Sequence, residues 1–335
     1  MKVTVLMPVY NGGECLKQAI ESILSQSFTD YELLIINDAS IDDSEKVIKS
    51  FIDPRIRYLK NDGNKGLVET LNLGLREATG QYIARMDQDD ICHNDRLKLQ
   101  VKFLDSHAEI GVCGTGAHMF GDRNFNMFVF ESSKEIAIQL IFNSPLIHPT
   151  VMLRKELLDK NNLRYDPLFS HAEDFAFWAE LSKWTQIYNI PQVLINYRWH
   201  QTNYSTTKFE EQRVVSNSIR IKYITDSFGI NISEAEIGIH KKICELDIFK
   251  ENEITEAYNW LIKLVNVNNG SNKFDEKLFS WFISFYWEEI LVNSYSTFQS
   301  FKIYNSNLAI NSIGRNPFRY YKKLSKSYIK KLLKR

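Results

Sequence analysis

Four times between residues 3 and 107 a short strand-forming run gives way to a stretch with helical spacing. VTVLMPV (3–9), YELLIIND (31–38), RIRYLK (55–60) and YIARM (82–86) are short and rich in apolar, β-branched or aromatic residues. GECLKQAIESILSQS (13–27), DDSEKVIKSFI (42–52), GLVETLNLGLREA (66–78) and NDRLKLQVKFLDSH (94–107) follow them with the periodicity of amphipathic helices. In the first of these, Leu16, Ile20, Ile23 and Leu24 share one face. Such alternation leaves little choice of architecture: an α/β sheet of parallel strands joined by right-handed helical crossovers. Ligands of such sheets bind beyond the C-terminal strand ends. Here those ends carry PVYNGG, NDAS, NDGNKG and MDQDD, so polar and acidic residues gather where a ligand should sit.

Beyond IGVCGTGAHMF (110–120), which reads as extended, the pattern loosens. NSPLIHPTVMLRKELL (143–158) reads as loop, strand and helix, AEDFAFWAELSKW (172–184) as a helix with an acidic start, and IPQVLINYRWH (190–200) as extended. From about 209 the chain becomes helical and aromatic, as in EITEAYNWLIKLVNV (253–267) and KLFSWFISFYWEEILVNSY (277–295). The expectation is a mostly parallel α/β domain over 1–210, flanked by helices, and a helical region over 211–335. At 335 residues and 44% hydrophobic, the chain can bury a core for both. Cys15, Cys92, Cys113 and Cys244 are scattered, with no zinc spacing. No basic and apolar leader opens the sequence, which points to the cytoplasm, and no apolar run approaches the ~20 residues of a membrane span.

The acids ask for an explanation. Asp87, Asp89 and Asp90 crowd the end of the fourth strand and repel one another. A solvated loop would tolerate them. At the ligand edge of a parallel sheet they suit a hard divalent cation, Mg²⁺ or Mn²⁺, with positions left open for phosphate oxygens. The first strand is followed by PVYNGG rather than G-x-G-x-x-G, so the dinucleotide phosphate loop is missing. Asp38, after the second strand, could accept from a base imide or a ribose hydroxyl, or cap the helix at 42, a place Ser40 and Asp42 also fill. Glu173 and Asp174 open a helix, where the dipole stabilises carboxylates. One of them could instead serve as a general base.

Taken together, MPVYNGGECLKQAIESILSQSFTDYELLIINDAS, NKGLVETLNLGLREATGQYIARMDQDDI and AEDFAFWAEL resemble the inverting family 2 glycosyltransferases of GT-A type over residues 1–205. HPTVMLRKELL and INYRWHQTNYS resemble a bacterial subset that builds surface polysaccharides. The resemblance implies that Pro8, Tyr10 and Asp38 hold the nucleotide base and Asp174 is the catalytic base. It implies that Asp87 and Asp89 are the D-x-D, with Asp89 the direct metal ligand and Asp87 nearer the ribose and diphosphate. NDAS stands where many relatives have DDGS, and Gln88 where many have Ala. His200 lies on the late loop that covers the diphosphate in this family, in reach of metal or phosphate, and His148 could shape the acceptor site.

The expected reaction moves a sugar from a nucleotide-diphosphate donor, UDP-linked, to a saccharide hydroxyl. A lipid-linked oligosaccharide of O-antigen, capsule or exopolysaccharide synthesis is the expected acceptor. Residues 319–335 carry eight basic residues and no acid, against 33 basic and 41 acidic residues in 1–318. On a helix, Phe318, Tyr321, Leu324, Tyr328, Leu332 and Leu333 fall on or near one face, which suits the anionic inner face of the cytoplasmic membrane. Nucleic acid is not an expected partner, for no supporting motif is present. Two other classes compete. A metal-dependent nucleotidyltransferase would want a basic phosphate loop after the first strand, and a non-catalytic nucleotide-sugar-binding protein would be free to lose Asp174 or the D-x-D.

Overall fold

The computed structural model of the chain describes residues 1–127, 129–200 and 207–294. The first four strands form where the alternation places them: β1 (Val3–Val9), β2 (Tyr31–Asn37), β3 (Ile56–Lys60) and β4 (Tyr82–Arg85). Every residue of β1, β2 and β4 is buried, as expected of parallel strands covered on both faces. The crossovers are α1 (Cys15–Leu24), α2 (Ser44–Lys49) and α3 (Leu67–Glu77). In α1 the buried stripe is Leu16, Ala19, Ile20, Ser22 and Ile23, while Leu24 is only partly covered. Ser22 can be buried because its hydroxyl donates to Ala19 O and accepts the Cys92 N–H.

After β4 come β5 (Ile91–Cys92), α4 (Arg96–Ser106), β6 (Ile110–Gly121), β7 (Phe125–Met127), α5 (Ser133–Gln139), β8 (Met152–Arg154), α6 (Lys155–Lys160), α7 (Glu173–Leu181) and β9 (Gln186–Trp199). The described strands join one sheet in the order β3-β2-β1-β4-β8-β6-β9-β5, with β7 on β6. The pairs β3–β2, β2–β1, β1–β4 and β6–β9 are parallel, and β4–β8, β8–β6, β9–β5 and β7–β6 are antiparallel. The expected α/β sheet with flanking helices is thus present. Three of its four parallel pairs come from the alternating first part of the sequence, β1 to β4.

Strand order reverses between β1 and β4, the kind of place where an open α/β sheet leaves a crevice. The β1–β4 ladder stops early, and the sequence says why. Its last bond runs from Met86 N–H to Leu6 O at 3.0 Å. In a parallel ladder the next donor would be the N–H of residue 8, and Pro8 has none. The two strands part there. Below that point Arg96, fully enclosed, ties the sheet together: its Nη2 donates to the carbonyls of Arg85 (2.8 Å) and Val151 (3.2 Å), and its Nε to Gln100 (2.9 Å). Gln100 in turn donates to the carbonyls of Thr150 and Cys113. The floor under the fourth strand end is therefore satisfied and rigid.

The chain divides into two compact units, one from Met1–Ile136 and Ser144–Ile219, the other from Ala137–Asn143 and Arg220 onward. The second is helical: the latter part of α8 (Phe209–Phe228), then α9 (Glu234–Cys244), α10 (Glu251–Ser271) and α11 (Glu276–Ser294). Its buried polar centre is His240. Trp260 Nε1 donates to His240 Nδ1, which leaves Nε2 to donate to the carbonyl of Ile141. Burial holds this imidazole neutral, its pKa pushed down to about 4. Arg220 and Tyr223 bind the same short segment, through the carbonyls of Phe142 and Ala137. No helix among the described residues is long and apolar enough to cross a membrane. The basic tail at 319–335 lies outside the described residues.

Candidate active site

The loop after β1 is shaped by the loop after β2. Asn11 and Gly13 adopt left-handed backbone, φ 50° and 56°, which Asn tolerates and Gly takes at no steric cost. Successive N–H groups of Asn11, Gly12 and Gly13 then point at Ser40 Oγ, Ser44 Oγ and Asp42 Oδ2, at 3.0, 2.8 and 3.0 Å. These amides, which in a phosphate loop would cradle an anion, are already engaged, in keeping with the missing glycine fingerprint. Asp42 also accepts the Ser44 N–H, while Asp38 does not cap this helix. The Asp38 carboxylate, 4% exposed, accepts from Asn61 Nδ2 and the N–H groups of Lys65 and Gly66 instead, fixing the loop ahead of α3. Pro8 is buried near the end of β1, and Tyr10, just past that end, is exposed.

Across the crevice from Tyr10 stands the acidic turn. Gln88 bridges the gap that Pro8 leaves: its Oε1 accepts the Tyr10 N–H (2.9 Å) and its Nε2 donates to Tyr10 O (3.1 Å). The middle residue of the D-x-D thus holds the two strand ends in register. Asp87, Asp89 and Asp90 each place an oxygen within 4.8 Å of the others. They are not a solvated loop. Asp90 is 1% exposed, accepts the Arg198 N–H through Oδ1 (2.8 Å), and its Oδ2 has no hydrogen-bond partner among the described residues. Burial, then the charges of Asp87 and Asp89, push the Asp90 carboxyl well above its usual range. Burial and Asp87 push Asp89 up to about 6. Three oxygens of hard-ligand chemistry, one of them orphaned, under mutual repulsion, fit a divalent cation.

The end of β9 closes this side. Arg198 Nε donates to Asp89 O, its Nη2 to Gln18, and its guanidinium lies over the Phe120 ring. His200 Nε2 stands 3.5 Å from Asp89 Oδ2. The structure thus brings His200 to the acidic turn. His148 is enclosed: its Nε2 pairs with the Tyr165 hydroxyl at 2.9 Å, its ring meets Trp178 edge-on, and burial drives its pKa well down.

Glu173 and Asp174 open α7 as the acidic pattern predicts. Asp174 Oδ1 accepts the Phe175 N–H at 2.7 Å. Burial and the adjacent Glu173 push Asp174 up to about 7, opposed by Arg85; burial also raises Glu173. A carboxylate with that affinity for a proton is poised to take one near neutral pH. Sequence reasoning passed over Arg85 and Arg198, and noted Gln88 only as a substitution for Ala without the role it plays against Tyr10. For Arg85 the signal was available: a guanidinium inside an otherwise apolar strand has to find carboxylates.

The fold is shared with solved glycosyltransferases. Staphylococcus aureus TarS in complex with UDP-GlcNAc matches with a TM-score of 0.57 at 17% identity, over 98% of this chain and 92% of that one. The mannosyltransferase PcManGT of Pyrobaculum calidifontis, in complex with GDP-Man and Mn²⁺, matches at 0.51 and 15%, over 99% and 87%. In sequence, an uncharacterised glycosyltransferase of Haemophilus influenzae is 27% identical over 76% of this chain and 83% of its own length. The putative glycosyltransferase EpsE of Bacillus subtilis is 39% identical over 46% of this chain and 56% of its own. The protein is a glycosyltransferase of GT-A type. Its residues 4–161 match the model of glycosyl transferase family 2.

Proposed function

We propose that the protein moves a sugar from a nucleotide-diphosphate donor, UDP-linked, to a saccharide hydroxyl, with inversion and in one displacement. The observation that carries this reading is the cluster of Asp87, Asp89 and Asp90 beyond the end of β4, and it is supported by the buried, pKa-raised Asp174 at the start of α7. Pro8, Tyr10 and Asp38 line the nucleotide side, and 1–210 is the catalytic region. Asp174 takes the acceptor hydroxyl's proton as the new bond forms. A divalent ion, Mn²⁺ or Mg²⁺, on Asp89 with Asp87 and His200 would offset the charge developing on the leaving diphosphate. Arg198 and Gln88 keep that turn from shifting as charge accumulates. The reading is supported by the donors bound to TarS and PcManGT, a UDP-sugar and GDP-mannose with Mn²⁺.

The test is UDP or GDP release from a panel of nucleotide-sugars with Mn²⁺, water standing in for the acceptor. Slow release from a UDP-sugar, rising with pH through about 7 as Asp174 loses its proton, is the expected result. A nucleotidyltransferase would instead release pyrophosphate from a nucleoside triphosphate, and a non-catalytic sensor would release nothing.

For the acceptor we propose a lipid-linked oligosaccharide of O-antigen, capsule or exopolysaccharide synthesis, reached at the cytoplasmic face of the membrane through the basic tail. At about 1 kcal/mol per basic residue near an anionic surface, eight charges suffice for reversible attachment. The protein should co-sediment with anionic vesicles at low salt and release as the Debye length falls from ~10 Å at 0.1 M to ~3 Å at 1 M. Equal binding by a chain ending at Arg315 would remove the tail from this role.

A further inference from the structure

Asn72 lies in the middle of α3 and is buried, although asparagine is a poor helix former and an apolar residue would fill a core position at less cost. Its side chain serves a distant partner. Nδ2 donates to the carbonyl of Tyr165 at 2.8 Å, and Oδ1 accepts the Tyr165 N–H at 2.9 Å. One amide thus takes both backbone groups of a residue 93 positions away, in the segment that leads into α7. Tyr165 is buried in turn, and it reaches α7 by two routes. Its ring packs on Phe177, centroids 4.3 Å apart, and its hydroxyl pairs with His148 Nε2, whose ring meets Trp178 edge-on. Phe177 and Trp178 stand one turn beyond Asp174, on its side of the helix.

The start of α7 has no side-chain cap. The N-cap position is Ala172, which has no side-chain oxygen to accept a helix N–H, and His171 before it is in left-handed backbone at φ 78°. Gln212 Nε2 donates to the His171 carbonyl at 3.0 Å, which holds that turn. The rotation of α7 about its axis, and so the direction of Asp174, is left to the side chains packed along it. We propose that Asn72 is a positioning residue of the transfer reaction: by clamping Tyr165 it fixes the rotation of α7, and with it the place of Asp174. The proposal rests on the reading of Asp174 as the base of a glycosyltransferase. The same helix is anchored at its other end on the nucleotide side, where Asp38 accepts the Lys65 and Gly66 N–H groups just ahead of α3. α3 therefore works as a strut, with the nucleotide-side acid at its start and the clamp on the base-bearing segment in its middle. His148 serves this arrangement as the link between the Tyr165 hydroxyl and Trp178.

The test uses two variants of the full chain, each checked by thermal melting and assayed well below its midpoint. Asn72→Ala removes both bonds to Tyr165. Tyr165→Phe keeps the clamp and the ring contact with Phe177 and removes only the bond to His148. Misplacing a reacting group by ~1 Å can cost ~10²-fold, so we expect Asn72→Ala to lower kcat for donor hydrolysis by about 10-fold or more. KM for the donor and the Mn²⁺-dependent affinity for UDP should stay close to wild type. Tyr165→Phe should lower kcat by about 5-fold, the scale of one hydrogen bond. Combining the two should cost little more than Asn72→Ala alone, because both act on one helix. Hydrogen exchange reads the same link without turnover. The N–H groups of Phe175 and Ala176, bonded to Asp174 Oδ1 and the Ala172 carbonyl, should exchange faster in Asn72→Ala while β1 and β2 keep their protection. Wild-type kcat in Asn72→Ala, unchanged exchange at the start of α7, or an equal loss of UDP affinity and kcat overturns the proposal. Should Asn72→Ala not fold, Tyr165→Phe decides: a lowered kcat with faster exchange in α7 supports the proposal, and either one unchanged overturns it. A wild-type protein that hydrolyses no donor sinks the reaction assignment, while exchange still reads whether Asn72 holds α7.

Discussion

Asp174→Asn should lower sugar transfer by about 10²–10⁴-fold, the usual contribution of a positioned general base, while nucleotide binding persists. Asparagine keeps the shape of the side chain, and its Oδ1 can still accept the Phe175 N–H that orients Asp174 at the start of α7. What it cannot do is take a proton. The loss should be steepest above pH 7, where the wild-type carboxylate is ionised, and should shrink below it, where wild-type Asp174 is itself protonated. A sharp loss confined to KM would indicate a binding role. Transfer at near wild-type rate would move the base to Glu173, which is also buried and also raised.

Asp89→Ala should remove the dependence of UDP affinity on Mn²⁺, read by calorimetry with and without the ion. The turn itself should survive. Arg198 Nε holds the backbone carbonyl of residue 89 rather than its side chain, Asp90 is fixed by the Arg198 N–H, and Gln88 is fixed by Tyr10. The variant therefore deletes a ligand without unmaking the loop that carries it. Asp87, paired with Arg85, and the enclosed Asp90 would remain, but two carboxylates already committed to protein partners make a weaker site. An unchanged gain in affinity with Mn²⁺ would show that the ion, if any, sits elsewhere.

Much of the fold could be read from spacing alone. β1 to β4 and their helices are local: a buried parallel strand is a short apolar run, and an amphipathic helix repeats every three to four residues. The partners of β8, β6 and β9 could not be read this way. Nothing in MLR or in the long run of β6 states which neighbour it meets or in which direction, because pairing is decided by distant chain. The acids were conspicuous because charge at a strand end is unusual. The residues that organise them were not. Gln88 looks like a spacer until Tyr10 is placed opposite it, and Pro8 looks like an ordinary motif residue until the ladder beside it is seen to stop. Arg198 lies 108 positions from the Asp90 it holds, a separation over which pattern carries no information.

The seven residues Ala137–Asn143 belong to the helical unit although they lie within the span matched by the family. Ile138, Leu140, Ile141 and Phe142 are all buried, and Phe142 stacks on Tyr286 at 3.9 Å. Each such side chain gains roughly 1.5–3 kcal/mol from its cover. In evolutionary terms the C-terminal helices are not an exchangeable cassette. A recombination event near residue 210 would bring in new helices without the strip of sequence that fits them, and would leave the old strip bare. Diversification of these helices must therefore proceed by paired change at two distant places in the gene, more slowly than the loops around the crevice, which can vary one residue at a time.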